Sequence, residues 1–302
     1  MPGKIIVVGD VMTDVIVRPD GPPVPGSDRA ATIRLAAGGS GANQAAWLGH
    51  LGADVTLLAR VGAADADQQG AALRAHGVIP SLAIDTELPT GMLVALLDSA
   101  GERSFLTDRA ANTALCPTDL PEALLDDAAL LHLSGYSLFS DGPRAAVLAF
   151  AAAARRRGIP VTLDAASSGF LSGVGPLRFL EWAAGTQTLF ANADEAAVLA
   201  GSAEPAAQLA SLSAHFPLVV LKRGALGALA RAHGATPLDV PAPSIAAIDT
   251  TGAGDAFLAG FLHARLGGAS LSDCLAAGTA LGARAATQLG GRPILRDEPI
   301  SG

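Results

Sequence analysis

The chain has few of the residues that build disulfide frameworks, zinc sites or stacking surfaces. Its 302 residues include two cysteines and one tyrosine, and aromatic residues make up 4% of the total. Cys116 and Cys274 lack metal-ligand spacing and are too few for a disulfide framework, so we expect a reducing, cytoplasmic location. The six histidines are scattered without ligand spacing, which argues against a dedicated zinc site.

Long apolar runs and an excess of positive charge are also missing. No uninterrupted stretch approaches the roughly 18 apolar residues of a membrane span, and the short apolar run near the N-terminus is followed by acids, unlike a signal peptide. The formal net charge is −8, which makes nucleic acid a poor partner. Half of the residues are apolar, which indicates a globular protein with a large core.

Two common nucleotide-binding motifs are absent. The chain contains no G-x-x-x-x-G-K-[ST] segment, and neither of its two glycine clusters has a complete G-x-G-x-x-G pattern. Both absences weaken the hypothesis of a P-loop or Rossmann nucleotide site.

The most informative segment covers residues 249–257 and reads DTTGAGDAF. The apolar run after it predicts a buried helix that begins near Gly252. The amides of Gly252, Ala253 and Gly254 would point outward at the positive end of the helix dipole, where they could hold a phosphate oxygen. Asp255 could accept a proton from an attacking hydroxyl. The alternative is a threonine-capped helix in which Asp255 only complements the dipole.

The other glycine cluster covers residues 38–44 and reads GGSGANQ. It also opens a predicted helix. Gly38 and Gly39 would let a substrate approach the backbone closely, and Asn43 offers a donor and an acceptor to a polyol. The alternative is a glycine turn in which Ser40 is the helix N-cap.

The order of predicted elements indicates an α/β protein. Short alternating strands are predicted at 14–18, 31–35, 91–97 and 103–107, the last two as a hairpin around a turn at 98–102. After about residue 120, buried strands alternate regularly with helices, which is typical of a parallel sheet covered on both faces. The alternating strands have polar faces that do not fit this sheet, so we expect them to form a small lid.

Polar residues follow several of the predicted buried strands. Ligands lie at the carboxyl ends of strands in open sheets of this kind, and the residues found there include Asp10, Asp164 and Lys222. Asn192 and Glu195 could organise Mg²⁺ and phosphate through water, because Mg²⁺ keeps much of its hydration shell. The alternative for these two residues is a helix capping box.

The pair of segments at 38–45 and 249–257 resembles the two signatures of the ribokinase-like carbohydrate kinases, also called the PfkB family. The resemblance runs from about residue 5 to about residue 293. It implies an ATP-dependent kinase that acts on a sugar hydroxyl, with a doubly wound, mainly parallel α/β sheet flanked by helices and a small β-sheet lid. We therefore expect a single domain over residues 1–302, with the lid formed by segments at about 12–37 and 89–110.

The resemblance also implies roles for individual residues. Asp255 matches the general base, and the Gly252, Ala253 and Gly254 amides match the anion hole. The positions that match the sugar site are Asp14, Gly39, Ser40 and Asn43. The positions that match the nucleotide and phosphate site are Asn192, Lys222, Gly224 and Gly227, with Glu195 for Mg²⁺ through water.

Departures from the ribokinase pattern bear on the substrate. Ser40 replaces the lysine usual in the first signature, and Met12 stands where an asparagine usually contacts the sugar. Both changes remove a long polar side chain that could hydrogen-bond a sugar hydroxyl, and this argues against ribose. Arg109 lies where 2-keto-3-deoxygluconate kinases tend to carry an arginine, and its guanidinium suits a sugar-acid carboxylate. The alternative for Arg109 is a solvated charge at a strand end.

The resemblance leaves several points open. A monovalent-cation site would use carbonyls near Asp249, Thr251, Ala285 and Gly290, with Ile294 in place of its usual serine, and the resemblance allows activation by K⁺. A nucleoside kinase of the same superfamily and a catalytically silent sugar-binding regulatory relative are the alternatives to a sugar or sugar-acid kinase. Lid-mediated homodimers are common among such proteins.

Overall fold

The structure is a computed structural model that describes residues 3–97 and 103–295. Its strands are β1 (Lys4–Val8), β2 (Met12–Pro19), β3 (Ala31–Gly38), β4 (Val55–Gly62), β5 (Val78–Asp85), β6 (Gly91–Leu97), β7 (Arg103–Asp108), β8 (Ala128–Ser134), β9 (Val161–Asp164), β10 (Thr188–Asn192), β11 (Leu218–Lys222), β12 (Ala228–Ala232) and β13 (Leu238–Val240). Its helices are α1 (Ser40–His50), α2 (Ala66–Ala75), α3 (Asp141–Arg156), α4 (Ser168–Val174), α5 (Pro176–Trp182), α6 (Ala193–Ala200), α7 (Pro205–Leu212), α8 (Ala253–Leu266) and α9 (Leu271–Ala285).

Nine strands of the described residues form the main sheet, in the order β13-β12-β11-β10-β9-β8-β1-β4-β5. In this order, each strand from β11 to β5 pairs in parallel with its neighbours in that part of the sheet. β12 and β13 add an antiparallel edge next to β11. This arrangement confirms the predicted doubly wound, mainly parallel α/β fold.

Helices cover both faces of the main sheet because its central strands are apolar on both sides. Along β1, Ile6 and Val8 enter a core shared with α3 to α7, whereas Ile5 and Val7 enter a second core shared with α1, α8 and α9. The alternation follows from the two-residue period of a strand. The two helices that carry the glycine segments, α1 and α8, thus lie on the same face of the sheet.

The second sheet has the strand order β3-β2-β6-β7. β2 pairs antiparallel with β3 and parallel with β6, and β6 pairs antiparallel with β7 as the predicted hairpin requires. The predicted turn at 98–102 lies outside the described residues. All four strands come from the parts of the chain assigned to the lid, and the covering role of this sheet stays a prediction.

Two features of the main sheet were not predicted: the strand β5 and the antiparallel pair β12 and β13. Among the described residues, no helix has both the length and the apolar character needed to span a bilayer.

Candidate active site

A cavity of about 600 Å³ lies between the two sheets. One wall consists of residues at the carboxyl ends of the main-sheet strands and at the starts of α1 and α8, and the opposite wall belongs to the second sheet. The residues contributed by the second sheet are Met12, Asp14, Ile16, Ala36, Leu93, Ala95, Phe105 and Thr107. The cavity therefore occupies the crevice in which open parallel sheets bind ligands.

Asp255 lines this cavity from the first turn of α8. Its Oδ1 accepts hydrogen bonds from Ser40 Oγ at 2.7 Å and from Gln44 Nε2 at 3.0 Å, and its Oδ2 accepts from Asn43 Nδ2 at 3.3 Å. Burial and the nearby Asp164 charge raise the pKa of Asp255 to about 7, against the hydrogen bonds that lower it. A carboxyl with a pKa near neutrality is well matched to a general base.

The backbone before Asp255 turns sharply at Gly252, which is the N-cap of α8 with φ of 71°. A Cβ there would also lie 2.5 Å from Gly291, so only glycine fits. Gly252 and Gly254 line the cavity, whereas the Ala253 amide donates to the Thr250 carbonyl at 3.2 Å. One of the three amides expected to be free is thus held within the turn, and the alternative of a threonine N-cap does not apply.

Asp14 also lines the cavity and lies against the backbone of Gly38, where any Cβ would overlap the carboxylate. Burial and the neighbouring Asp10 raise the pKa of Asp14 to about 6, and Arg292 partly offsets them. Asp14, Gly39, Ser40 and Asn43 all line the cavity. The structure therefore brings these four residues of the predicted sugar site together in one cavity.

Lys222 and Asp164 form a buried ion pair of 2.8 Å at the carboxyl ends of β11 and β9. Burial lowers the pKa of Lys222, but Asp164 and Glu195 outweigh burial and raise it. Lys222 therefore stays charged inside the cavity, where it can attract phosphate oxygens.

Asn192 and Glu195 form the capping box that was the alternative for these residues. Asn192 Oδ1 accepts from the Glu195 amide, and Glu195 Oε2 accepts from the Asn192 amide, both at 2.8 Å. Burial and the charge of Asp164 raise the pKa of Glu195 to about 7, while Lys222 lowers it. Both side chains also line the cavity, so the capping role leaves them facing the site.

Residues 3–297 match the model of the pfkB family of carbohydrate kinases. The chain belongs to this family. A fructokinase of Klebsiella pneumoniae is 32% identical over 92% of this chain and 89% of its own length. An ATP-dependent ribose-1-phosphate kinase of Halopiger xanaduensis is 31% identical over 96% of this chain and 94% of its own. The structure of Arabidopsis thaliana ribokinase complexed with ribose and ATP has a TM-score of 0.82 at 27% identity and covers 96% of this chain and 94% of that chain.

The three residues of this PfkB kinase that bear on the choice of substrate, Ser40, Met12 and Arg109, all face the cavity. Ser40 is the first residue of α1, after an N-cap at Gly39, so the alternative of Ser40 as N-cap is wrong. Met12 Sδ accepts from Asn112 Nδ2 at 3.3 Å. Arg109 lines the cavity, lies 3.7 Å from Asp10 Oδ2 and packs 4.8 Å from the centre of the Tyr136 ring. Its side chain is only 10% exposed, so Arg109 is not a solvated charge at a strand end.

Two groups of predicted residues lie at the edge of the cavity or beside it. Gly224 opens a short 3-10 turn after β11, and Gly227 follows that turn; neither lines the cavity. Asp249 Oδ1 accepts from the Thr251 amide at 2.7 Å, and its Oδ2 accepts from the Gly290 amide at 3.1 Å. Thr251 and Gly290 line the cavity.

Sequence reasoning assigned no role to several residues of this PfkB site. Gln44 bonds to Asp255 and Asp164, and the buried His132 bonds to Gln44. Arg292 donates to Asn43 Oδ1 at 3.3 Å and to the Gly38 carbonyl at 3.0 Å. Gln44 falls within the first signature, four residues after Ser40, and that helical spacing was the available signal for it. Arg292 and His132 had no local signal.

Proposed function

We propose that this chain is an ATP-dependent kinase that transfers the γ-phosphate of ATP to a hydroxyl of a sugar or sugar acid, with Asp255 as general base. The observation that carries the proposal is the position of Asp255. It lies in the shared cavity, in the first turn of α8, with a pKa raised to about 7. A hydroxyl bound beside it could pass its proton to the carboxylate as the oxygen attacks phosphorus.

The remaining work of phosphoryl transfer is alignment and charge neutralisation. Asp14, Gly39 and Asn43 would hold the sugar hydroxyls in line with Asp255. The Gly252 and Gly254 amides, at the positive end of α8, would receive the developing negative charge. Lys222 would bind phosphate oxygens of the nucleotide. Gly224 and Gly227, which lie outside the cavity lining, would contribute through the loop after β11.

The residues present fit a hydrated Mg²⁺. Among the described residues, no group of three or more His, Cys, Asp or Glu side chains could hold a metal by itself. Mg²⁺ commonly keeps several waters and binds through one or two carboxylates together with substrate phosphates. Glu195, supported by Asn192, would hold it through water, and Mg²⁺ bound there supplies neutralisation of the phosphate charge.

Arg109 supports a sugar acid as the substrate class. Its guanidinium faces a cavity lined by the carboxylates of Asp10 and Asp14, at 3.7 Å from Asp10. A substrate carboxylate would pair with Arg109 more strongly than a neutral hydroxyl does. In Arg109→Gln we expect kcat/KM for a sugar acid to fall by about 10–100-fold, since a hydrogen bond to a charged group contributes ~1.5–3 kcal/mol. The value for a neutral sugar should change little.

A nucleoside is the second candidate substrate, because aromatic side chains line the cavity. Although aromatic residues are scarce, Phe105, Tyr136 and Phe170 all line the cavity. Tyr136 and Phe170 contact each other edge to face, with ring centres 6.0 Å apart. Such rings can stack on a nucleobase.

We also propose that the second sheet joins two copies of the chain. The side chains that alternate with the cavity-lining ones form an apolar row across all four strands: Leu35, Val15, Val94 and Leu106 are paired in register. Leu35 is 72% and Leu106 68% exposed. An exposed apolar row of this kind is typical of a protein–protein contact.

The predicted cytoplasmic location would supply the ATP that the reaction needs. Activation by K⁺ near Asp249 and Thr251 stays a prediction.

A coupled ADP-release assay with Mg-ATP tests the proposal. The panel contains ribose, fructose, 2-keto-3-deoxygluconate, other sugar acids and nucleosides. Asp255→Asn should lower turnover by ~10²–10⁴-fold, the usual contribution of a positioned base. Asp67→Asn is the matched control, because Asp67 is an exposed first-turn acid of α2. Turnover retained by Asp255→Asn would overturn the mechanism, and sugar binding without any turnover would indicate the silent relative.

A further inference from the structure

A chain of buried hydrogen bonds runs behind Asp255 from the centre of the main sheet. Thr162 Oγ1 lies 2.8 Å from His132 Nδ1, and His132 Nε2 lies 3.0 Å from Gln44 Oε1. Gln44 Nε2 lies 3.0 Å from Asp255 Oδ1, 3.1 Å from Asp164 Oδ2 and 2.9 Å from Ser40 Oγ. His132 and Gln44 have no exposed surface, and Thr162 is 3% exposed. None of the three lines the cavity, so none contacts a substrate there.

The carboxylates of Asp255 and Asp164, at one end of this series of hydrogen bonds, determine the orientation of the Gln44 amide. Ionised carboxylates only accept hydrogen bonds, so the amide nitrogen of Gln44 must face Asp255 and Asp164. The Gln44 oxygen then faces His132 and needs a donor. Of the two ends of this amide, only the NH₂ group can bridge the two carboxylates.

The acceptor oxygen of Gln44 in turn determines the tautomer of His132. Burial lowers the pKa of His132 to about 3, so the ring is neutral and carries one proton. That proton must be on Nε2, because Gln44 Oε1 can only accept. Nδ1 is then an acceptor, and the Thr162 hydroxyl donates to it. From Thr162 to Gln44, each group therefore donates its hydrogen bond in the direction of the carboxylates.

We propose that Thr162, His132 and Gln44 are positioning residues for phosphoryl transfer, which hold the Gln44 amide with its NH₂ group toward the Asp164 and Asp255 carboxylates. The proposal rests on the proposed function of Asp255 as the base. Without a donor at His132, the amide could rotate and place its oxygen against two carboxylates. That arrangement is unfavourable unless one carboxylate takes up a proton.

The pH dependence of Asp255 also reflects the other groups around it. Asp164 raises its pKa and Lys222 lowers it, while Glu195 lies beside Lys222 and Tyr136 faces the same cavity. Asp10, Asp14 and Arg109 line the same cavity. Substitutions at His132 leave these groups in place, so a change in the titration of Asp255 would report on the Gln44 amide.

Two amide substitutions at His132 separate positioning from simple packing. The side-chain nitrogen of glutamine can reach the place of Nε2 and donate to Gln44, whereas the shorter asparagine reaches only the place of Nδ1. Both are polar and similar in size. Thr162→Val removes the hydroxyl that donates to Nδ1 of His132, and Thr56→Val is its control, since Thr56 is a buried threonine of β4 that does not line the cavity.

We expect His132→Asn to move the acidic limb of kcat/KM to higher pH by about one unit, a tenfold loss at a fixed pH below the limb. KM for the sugar should change little. His132→Gln should restore most of the activity, Thr162→Val should be intermediate and Thr56→Val should match the wild type. Identical limbs in His132→Asn and the wild type, at equal melting temperatures, would overturn the proposal.

Two NMR measurements make the test independent of turnover. The imidazole ¹⁵N shifts of the wild type should show a proton on Nε2 and none on Nδ1 of His132. The side-chain carboxyl ¹³C titration of Asp255 should move to higher pH in His132→Asn. A proton on Nδ1, or an unchanged titration, would overturn the positioning role. Absence of phosphoryl transfer in the wild type, with both NMR results as expected, would instead refute the proposed function and with it the catalytic part of this inference.

Discussion

The Ser40 hydroxyl donates a 2.7 Å hydrogen bond to Asp255 Oδ1, although the two residues are 215 positions apart. Ser40 is the first residue of α1, and Asp255 lies in the first turn of α8. The N-termini of two helices therefore meet at one carboxylate. Both helix dipoles favour its charged form, whereas its burial and the nearby Asp164 disfavour it.

Ser40→Ala should move the acidic limb of the pH–activity profile upward. The hydrogen bond from Ser40 lowers the pKa of Asp255, so its loss raises that pKa and reduces the ionised fraction at pH values below it. We expect a shift of about one to two pH units, since one unit corresponds to ~1.4 kcal/mol and a hydrogen bond to a charged group contributes ~1.5–3 kcal/mol.

The measurement for Ser40→Ala is kcat/KM between pH 5 and pH 9, ~1–2 units either side of the limb. Ser172→Ala is the control, because the Ser172 hydroxyl donates to the Ser168 carbonyl on the exposed surface of α4. An acidic limb that coincides with that of the wild type would show that Ser40 does not influence the base.

The base and its glycine turn could be predicted because a helix start is a local pattern. Residues 249–257 contain the glycines, the acid and the start of the apolar run within nine positions. The hydrogen bonds behind Asp255 could not be predicted, because Gln44, His132 and Thr162 belong to α1, β8 and β9 and meet only in the folded protein. A single sequence carries no signal for such long-range contacts.

The strands β5 and β13 were not predicted for similar physical reasons. β5 contains Pro80 and Ser81 and lies at the edge of the main sheet, where half-exposed strands lack a continuous apolar run. β13 has three residues, of which two are exposed. Its position is determined by pairing with β12, a tertiary contact, rather than by its own sequence.

Lys222 and Asp164 should show strong energetic coupling in a double-mutant cycle. Their side chains are 12% and 5% exposed, and the pair is 2.8 Å long. Lys222→Met or Asp164→Asn alone leaves a buried charge without its partner, which typically costs about 3–5 kcal/mol. The double variant should lose less free energy of unfolding than the sum of the two single variants.

Urea denaturation at pH 7 provides the four free energies of unfolding for this cycle. The exposed pair of Arg156 and Glu122 is the control, with side chains 65% and 54% exposed. Its coupling should be about 0–1 kcal/mol. Additive losses for Lys222 and Asp164 would mean that solvent screens the pair in spite of its position.

Leu35→Glu should dissociate the proposed homodimer. Leu35 is 72% exposed at one end of the apolar row on the second sheet. A charge there would have to be buried without a partner in the dimer, which is strongly unfavourable. Light scattering after size-exclusion chromatography should show about twice the 30.1 kDa of the chain for the wild type and the single-chain mass for the variant. Ile79→Glu, an equally drastic change at a 55% exposed residue of β5, should leave the dimer intact, and a wild type with the single-chain mass would refute the dimer.

Asp255→Asn should make the protein more stable above neutral pH while it removes turnover. The pKa of Asp255 rises from an ordinary 3.8 to about 7 in the folded state. The folded state therefore binds the proton more tightly than the unfolded state does, and stability falls as pH rises through the window from about 4 to about 7. Asparagine carries no charge and escapes this loss.

The melting temperature of Asp255→Asn should exceed that of the wild type by a few degrees at pH 8, since ~1 kcal/mol moves the Tm of a large domain by roughly 2–4 °C. The difference should shrink as pH falls toward 4, because the folded wild type is then protonated at Asp255. Glu195 and Asp14 also have raised pKa values, but they are present in both proteins and largely cancel in the comparison. Asp67→Asn should follow the wild type at every pH. A variant that is less stable than the wild type across the whole range would show that the negative charge of Asp255 stabilises the fold rather than serving only the reaction.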